Sequence, residues 1–232
     1  MSKFPKACII DAETGVVAIS PRKKKVGIVV GGRTRNEAPY DDPDWLFYGL
    51  NELPQERAEI YFEMHPMEVQ NAYELGWLEK CEVPVYLLEL DDRVPYGVKY
   101  PLEAVLEATG ARRYFTSTFA YQVALAIYEG FDEIGLWGLP LFHGSPREQT
   151  IERICLEYWL GFAEGKGIKV TTHPDDKLLW QPHLYGYDYW EEKRHIEGMM
   201  AHLGRDVHTK QRHLNEDGGG PTTVGGDNWG FV

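Results

Sequence analysis

The stretch KVGIVVGG, residues 25–32, constrains the fold more than any other part of this 232-residue chain. Its apolar residues follow one another without alternation, which indicates a strand buried on both faces, as in a parallel sheet. Two glycines end the run, where a chain can turn sharply or let its backbone approach a ligand. Parallel strands need a crossover connection, usually a helix, so the rest of the chain should alternate strands with helices.

That alternation is present along the sequence. Further strands are predicted at 44–52, 58–65, 83–90, 133–139 and 168–172, and helices at 66–81, 101–110, 119–129 and 147–167. Two short strands, at 7–11 and 16–20, predict an N-terminal hairpin, and a charged helix is predicted after Tyr189. The expected fold class is α/β: a doubly wound, mostly parallel sheet with helices on both faces.

The ends of the chain differ in composition from its middle. We expect a hairpin and basic loop over 1–25, a nucleotide-binding domain over 26–189, a helical extension over 190–213 and a flexible glycine-rich tail over 214–232. The extension offers a surface through which two copies of the chain could associate.

Composition excludes several classes of function. A formal net charge of −12 argues against a generally basic nucleic-acid surface, although a local basic groove stays open. The three cysteines stand far apart without a CxxC pair, and the histidines show no HExxH spacing, so no metal site is expected. No apolar run approaches the roughly 18 residues of a membrane helix, and we expect a cytoplasmic protein without a membrane partner.

Polar residues follow the predicted strands, and in doubly wound sheets ligands bind at the carboxyl ends of the strands. The candidate ligand-binding residues are Gly31, Gly32, Arg33, Thr34 and Arg35 after the first strand, Asn51 and Glu52 after the second, and Thr116, Ser117 and Thr118 before the helix 119–129. Glycines, guanidiniums and a helix N-terminus suit a phosphate, and an asparagine suits a ribose or a base. Each group also has a structural interpretation as a turn or cap, and one of the three hydroxyls would suffice as a cap.

Two histidines are candidate catalytic bases. His65 follows a predicted strand and would open a helix, whose N-terminus would keep the imidazole neutral; it could equally be a capping residue. His143 lies in the loop after GLWG, where Pro140 stands in place of the acid common in nucleotide-binding sheets.

A resemblance to a known family rests on ordered stretches between residues 26 and 188. VGIVVGGRTRNEAPYDDPDWLFYGLNEL, YFEMHPM, YFTSTFAYQVALAIYEGFDEIGLWG, CLEYWLGFAEGKGIKV and LYGYD resemble a set of uncharacterised bacteriophage proteins with a Rossmann-like fold. That set is distantly similar to 6-hydroxymethylpterin diphosphokinase-like proteins and to sialyltransferases with a cytidine-monophosphate sugar donor. The resemblance implies that Gly31, Gly32, Thr34, Asn51 and the 116–118 turn surround a nucleotide, in a phage case within the host cytoplasm.

Three functions follow as hypotheses. The first is a transferase that uses a nucleotide or nucleotide-sugar donor to modify a hydroxyl acceptor, by glycosyl or phosphoryl transfer. The second is a non-catalytic sponge that binds a nucleotide-derived host defence signal in the same pocket. The third is a structural or assembly protein. No cofactor is firmly implied, and the expected ligand is a nucleotide-derived small molecule.

Overall fold

The computed structural model describes residues 8–10, 17–19, 24–50, 58–70, 72–139, 146–180, 182–198 and 200–201. The chain divides into two compact units, Met1–Leu179 and Trp180–Val232. The strands are β1 Cys8–Ile10, β2 Val17–Ile19, β3 Lys25–Val29, β4 Trp45–Leu50, β5 Ile60–Glu63, β6 Val85–Leu87, β7 Gly97–Lys99, β8 Glu133–Trp137 and β9 Lys169–Thr172. The α-helices of the first unit are α1 Ala72–Leu78, α2 Leu102–Thr109, α3 Thr118–Glu129 and α4 Pro146–Gly165; three short 3₁₀ helices span Arg33–Glu37, Met67–Val69 and Pro174–Asp176.

Seven strands form one sheet in the order β7-β6-β5-β4-β3-β8-β9, and every neighbouring pair is parallel. The chain runs outward from β3 to the edge strand β7 and then returns to β8 on the other side of β3, so the strand order switches between β3 and β8. This confirms the predicted α/β, Rossmann-like doubly wound fold. The strands β1 and β2 pair antiparallel, which confirms the predicted N-terminal hairpin.

One face of the sheet is covered by α2, α3 and α4. The successive apolar residues of KVGIVVGG divide between the two faces, as the period of two requires. Val26 and Ile28 pack with α3 and α4 residues such as Ala124 and Trp159, all at 0% exposure. A buried valine or isoleucine side chain contributes about 1.5–3 kcal/mol by leaving water.

The opposite face combines glycines with aromatic rings. In register, Gly27 of β3 stands between Phe47 of β4 and Gly135 of β8. A Cβ on Gly27 would lie 2.6 Å from the Phe47 ring, and one on Gly135 would lie 2.3 Å from the Trp137 ring. These glycines therefore let the rings lie flat on the sheet. Further along this face, α1 covers β5 and β6 through Leu78, which is fully buried.

Two sequence predictions need correction. The helix predicted over 66–81 is a single 3₁₀ turn, Met67–Val69, followed by the short helix α1, because Gln70 is extended and ends the turn. Val69, an apolar residue within the predicted range, is 68% exposed, so no packing supports a helix there. The edge strand β7 was missed, since three residues are too few to show a period. The helix predicted after Tyr189 is confirmed at 189–198 of the second unit.

The described ranges contain neither a membrane-spanning helix nor a metal-binding cluster. Among these residues no helix has both the length and the apolar character needed to cross a bilayer. The same residues contain no group of three or more histidine, cysteine, aspartate or glutamate side chains that could hold a metal ion.

Candidate functional site at the carboxyl edge of the sheet

The turn before α3 is held in place by α4. Trp159 of α4 donates its indole N–H to the carbonyl oxygen of Tyr114 at 2.7 Å, and the Cys155 thiol contacts the same oxygen at 3.4 Å. The Thr116 hydroxyl donates to the carbonyl of Ile151 at 3.2 Å. One of the three predicted ligand hydroxyls is therefore bonded within the protein, and it fixes the turn to α4.

The N-terminus of α3 has no side-chain cap. Ser117 is the N-cap residue, with extended backbone, but its hydroxyl bonds to no backbone N–H of the helix. The expectation that one hydroxyl of the 116–118 turn caps the helix is therefore wrong. The Ser117 Oγ is buried and lacks a hydrogen-bond partner among the described residues. No acidic residue occupies the first turn, so nothing in that turn offsets the positive end of the helix dipole.

One turn further along α3, Gln122 ties the helix to the carboxyl end of the sheet. Its side-chain N–H donates to the carbonyl of Gly49, the fifth residue of β4, at 2.9 Å. Gln122 is completely buried, and its Oε1 also has no hydrogen-bond partner within the described part of the chain. Two unsatisfied buried oxygens thus lie at the N-cap and in the first half of α3, and such groups call for an explanation because each costs free energy. We call Ser117, Thr118 and Gln122 the α3 cradle.

Hydrogen bonds connect the residues that follow β3 with those that follow β8, beside the switch in strand order. Gly32 donates its N–H to the carbonyl of Gly138 at 2.9 Å, and Gly138 donates its N–H to the Thr34 hydroxyl oxygen at 2.5 Å. Gly138 has a φ of +75°, and a Cβ there would lie 2.4 Å from the Val30 carbonyl oxygen. Only glycine allows the two exits to approach this closely.

The loop after β3 also contacts the segment after β9. The Thr34 hydroxyl donates to the Asp176 carboxylate at 3.0 Å, so its proton is bonded within the protein. Arg33 pairs with Asp175 at 3.0 Å, with both side chains largely exposed. Such an exposed pair contributes little stability and can exchange its carboxylate for another anion.

At the exit of β5, His65 is held by a buried carboxylate. The Nδ1 of His65 lies 2.5 Å from Oε1 of Glu63, and its backbone N–H donates to the same oxygen at 3.1 Å. Glu63 is 2% exposed, whereas the His65 side chain is 57% exposed. His65 precedes a 3₁₀ turn of three residues, so the α-helix N-terminus expected beside its imidazole is absent.

His65 lines a cleft of about 360 Å³ between the exits of β5 and β6. Its other walls include the acidic side chains of Glu68, Glu89 and Asp91. Hydrogen bonds from Arg93 lower the pKa of Asp91 to about 2, so this carboxylate carries its charge throughout the neutral range. Glu89 is paired with Lys99 at 2.6 Å. Three carboxylates therefore line the cleft, two of them paired with cations, whereas the first turn of α3 contains no acidic residue.

The structure brings several of the predicted residues to one edge of the sheet. Gly31, Gly32, Arg33, Thr34 and Arg35 follow β3, and the 116–118 turn begins α3, whose Gln122 bonds to Gly49 near the end of β4. Asn51, Glu52 and His143 lie outside the described residues, and their roles stay predictions. Sequence reasoning missed Gln122, Gly138 and Glu63. Gln122 gave one signal, a polar residue on the apolar stripe of a helix; the other two depend on contacts that the sequence does not display.

Comparisons with known proteins give matches to solved structures alone. No family model matches the chain, and no curated protein matches it. The sialyltransferase CstII from Campylobacter jejuni, solved with the substrate analogue cytidine-5'-monophosphate, is 15% identical, with a TM-score of 0.42 over 64% of this chain and 79% of that one. The monofunctional α-2,3-sialyltransferase Cst-I from the same organism is 11% identical, with a TM-score of 0.45 over 80% of this chain and 98% of that one.

Sialyltransferases, one of the families named in the resemblance, are therefore among the structural neighbours of this chain. The bacteriophage and pterin-kinase parts stay predictions.

Proposed function

We propose that this protein is a transferase that binds a nucleotide-activated donor, such as a nucleotide sugar, at the α3 cradle and passes the activated group to an acceptor hydroxyl. The observation that carries the proposal is the Ser117 hydroxyl, which occupies the N-cap position of α3, is buried, and bonds to nothing among the described residues. A bound phosphate would accept from this hydroxyl and from the first N–H groups of the helix.

The position of the cradle supports the same assignment. The bond from Gln122 to Gly49 brings α3 to the carboxyl end of β4, next to β3 and its glycine exit. Ligands of doubly wound sheets bind along this edge, near the switch in strand order. Arg33 and Arg35 belong to the adjacent loop and supply positive charge for a phosphate.

Charge separates the two halves of the edge. The cleft beside β5 and β6 is lined by Glu68, Glu89 and Asp91, and the last two already pair with Lys99 and Arg93, so the cleft suits a hydroxyl acceptor better than a phosphate. The α3 cradle has no acidic residue in its first turn. The donor phosphate therefore belongs at the cradle and the acceptor in the cleft.

His65 is the proposed base for the acceptor. Its Nε2 takes the proton of the acceptor hydroxyl as the oxygen bonds to the donor carbon. The bond from that carbon to the phosphate oxygen breaks at the same time, and its electron pair leaves with the nucleotide. The N–H groups at the start of α3 stabilise the charge that develops on the departing phosphate. The proton on His65 then passes to water.

The test is incubation with a panel of nucleotides and nucleotide sugars, followed by mass spectrometry of the small molecules. We expect free nucleotide and modified acceptor to appear together, and only when donor and acceptor are both present. Recovery of tightly bound but intact nucleotide would instead favour the sponge hypothesis. Absence of binding to every member of the panel would contradict both.

A further inference from the structure

Glu63 is a buried acidic residue between two strands that carry apolar side chains or glycine on the same face of the sheet. On this face the adjacent strands β4 and β6 carry apolar side chains or glycine, namely Trp45, Phe47 and Gly49 on β4 and Val85 and Leu87 on β6. Glu63 lies in register with Leu87 of β6 and is 2% exposed. The other buried glutamate on this face, Glu133, stands at the opposite, amino end of the sheet, where it pairs with Lys169 and Thr171.

Stability does not account for a carboxylate at this position. A buried charge is expensive unless it is well paired, and an apolar residue of similar size often serves at least as well. The partner of Glu63 is His65, whose side chain is more than half exposed. An exposed imidazole returns little of the free energy that burial of the carboxylate costs. Both bonds from His65 end on the same oxygen, so the contact fixes the direction of the ring.

We propose that Glu63 is a positioning residue for His65. Its Oε1 accepts the proton on Nδ1, which selects the tautomer whose lone pair is on Nε2. Nε2 of His65 is then the basic nitrogen, and the His65 side chain lines the 360 Å³ cleft. This is the arrangement that a general base needs, because a fixed carboxylate also stabilises the imidazolium that forms when the base takes a proton. The inference rests on the proposed function for its catalytic meaning, but the tautomer can be measured without any substrate.

The first experiment is nitrogen-15 NMR of the His65 imidazole at alkaline pH, above its usual pKa of about 6.5. We expect the wild type to hold the Nδ1–H tautomer. In Glu63→Leu the Nε2–H form, which a free neutral imidazole prefers, should predominate. Glu133→Gln is the matched control: it removes a buried glutamate from the same face at the far edge, and the His65 tautomer should not change. Thermal unfolding of each variant checks that the fold is retained, and Glu63→Leu should unfold at or above the wild-type temperature.

The second experiment measures turnover once a donor and acceptor pair is known. Glu63→Leu should lower kcat by about 100-fold or more while the KM for the nucleotide donor stays the same. A wild-type His65 in the Nε2–H form, or the same tautomer in wild type and Glu63→Leu, would overturn the proposal, as would an unchanged kcat. If no transfer is found for the wild type, the proposed function fails, and the tautomer measurement still decides the role of Glu63.

Discussion

At the scale of single residues, Thr34 shows how a predicted ligand side chain can be used within the protein. The Thr34 hydroxyl accepts a hydrogen bond from the Gly138 N–H and donates one to the Asp176 carboxylate. One hydroxyl thus joins the exits of β3 and β8 and the segment after β9. The Thr34 side chain and its contact with Gly138 are buried, whereas its contact with Asp176 is partly buried.

Replacement of Thr34 by valine should destabilise the protein by about 1–3 kcal/mol, because the shape is kept but the buried Gly138 N–H loses its partner. Denaturant unfolding measures this change. Thr34→Ser, which keeps the hydroxyl, is the control and should lose much less. Equal loss in the two variants would show that the methyl group, not the hydrogen bonds, matters at this position.

At the scale of elements, the glycines of the aromatic face decide how the central strands pack. Gly135→Ala should destabilise by about 1–3 kcal/mol through overpacking, because the new Cβ would meet the Trp137 ring, which is confined by Trp45. Gly161→Ala in α4 is the matched control. That position has no atom within 4 Å of a new Cβ, so the change should stabilise by about 0.5–1 kcal/mol. Similar unfolding temperatures for the two variants would contradict this packing.

The elements that the sequence predicted well are those whose pattern is local. β3 is a continuous apolar run, and α3 and α2 end at Gly130 and Gly110, both with positive φ as C-cap glycines require. The segment over 66–81 failed because a helical spacing of apolar residues forms a helix only where that face is buried. Val69 is instead exposed, and the turn stops at Gln70.

The candidate site was predictable in position but not in detail. Parallel strands bring their exits to one edge, so the residues after β3 and before α3 could be expected there. The bond between Thr34 and Asp176 joins residues 142 positions apart, and no local pattern announces it. The uncapped state of Ser117 likewise depends on the direction of a single hydroxyl, which residue type alone does not determine.

At the scale of the whole molecule, the sheet presents two chemically different sites along one edge. The α3 cradle offers helix N–H groups and, beside β3 and β4, a buried hydroxyl that has no partner within the described part of the chain. The acidic cleft with His65 lies beside β5 and β6. The central claim is that these are a donor site and an acceptor site, and it depends first on whether a nucleotide phosphate binds at the cradle.

The most direct measurement is an amide NMR titration of the labelled protein with CMP, UMP, AMP and GMP in turn. We expect at least one to shift the amides of Ser117–Ala120 and Gly31–Gly32, and Ser117→Ala to weaken that binding about tenfold while leaving the free protein as stable as before or more so. Shifts confined to the acidic cleft, no shifts with any nucleotide, or equal affinity in Ser117→Ala would contradict the account.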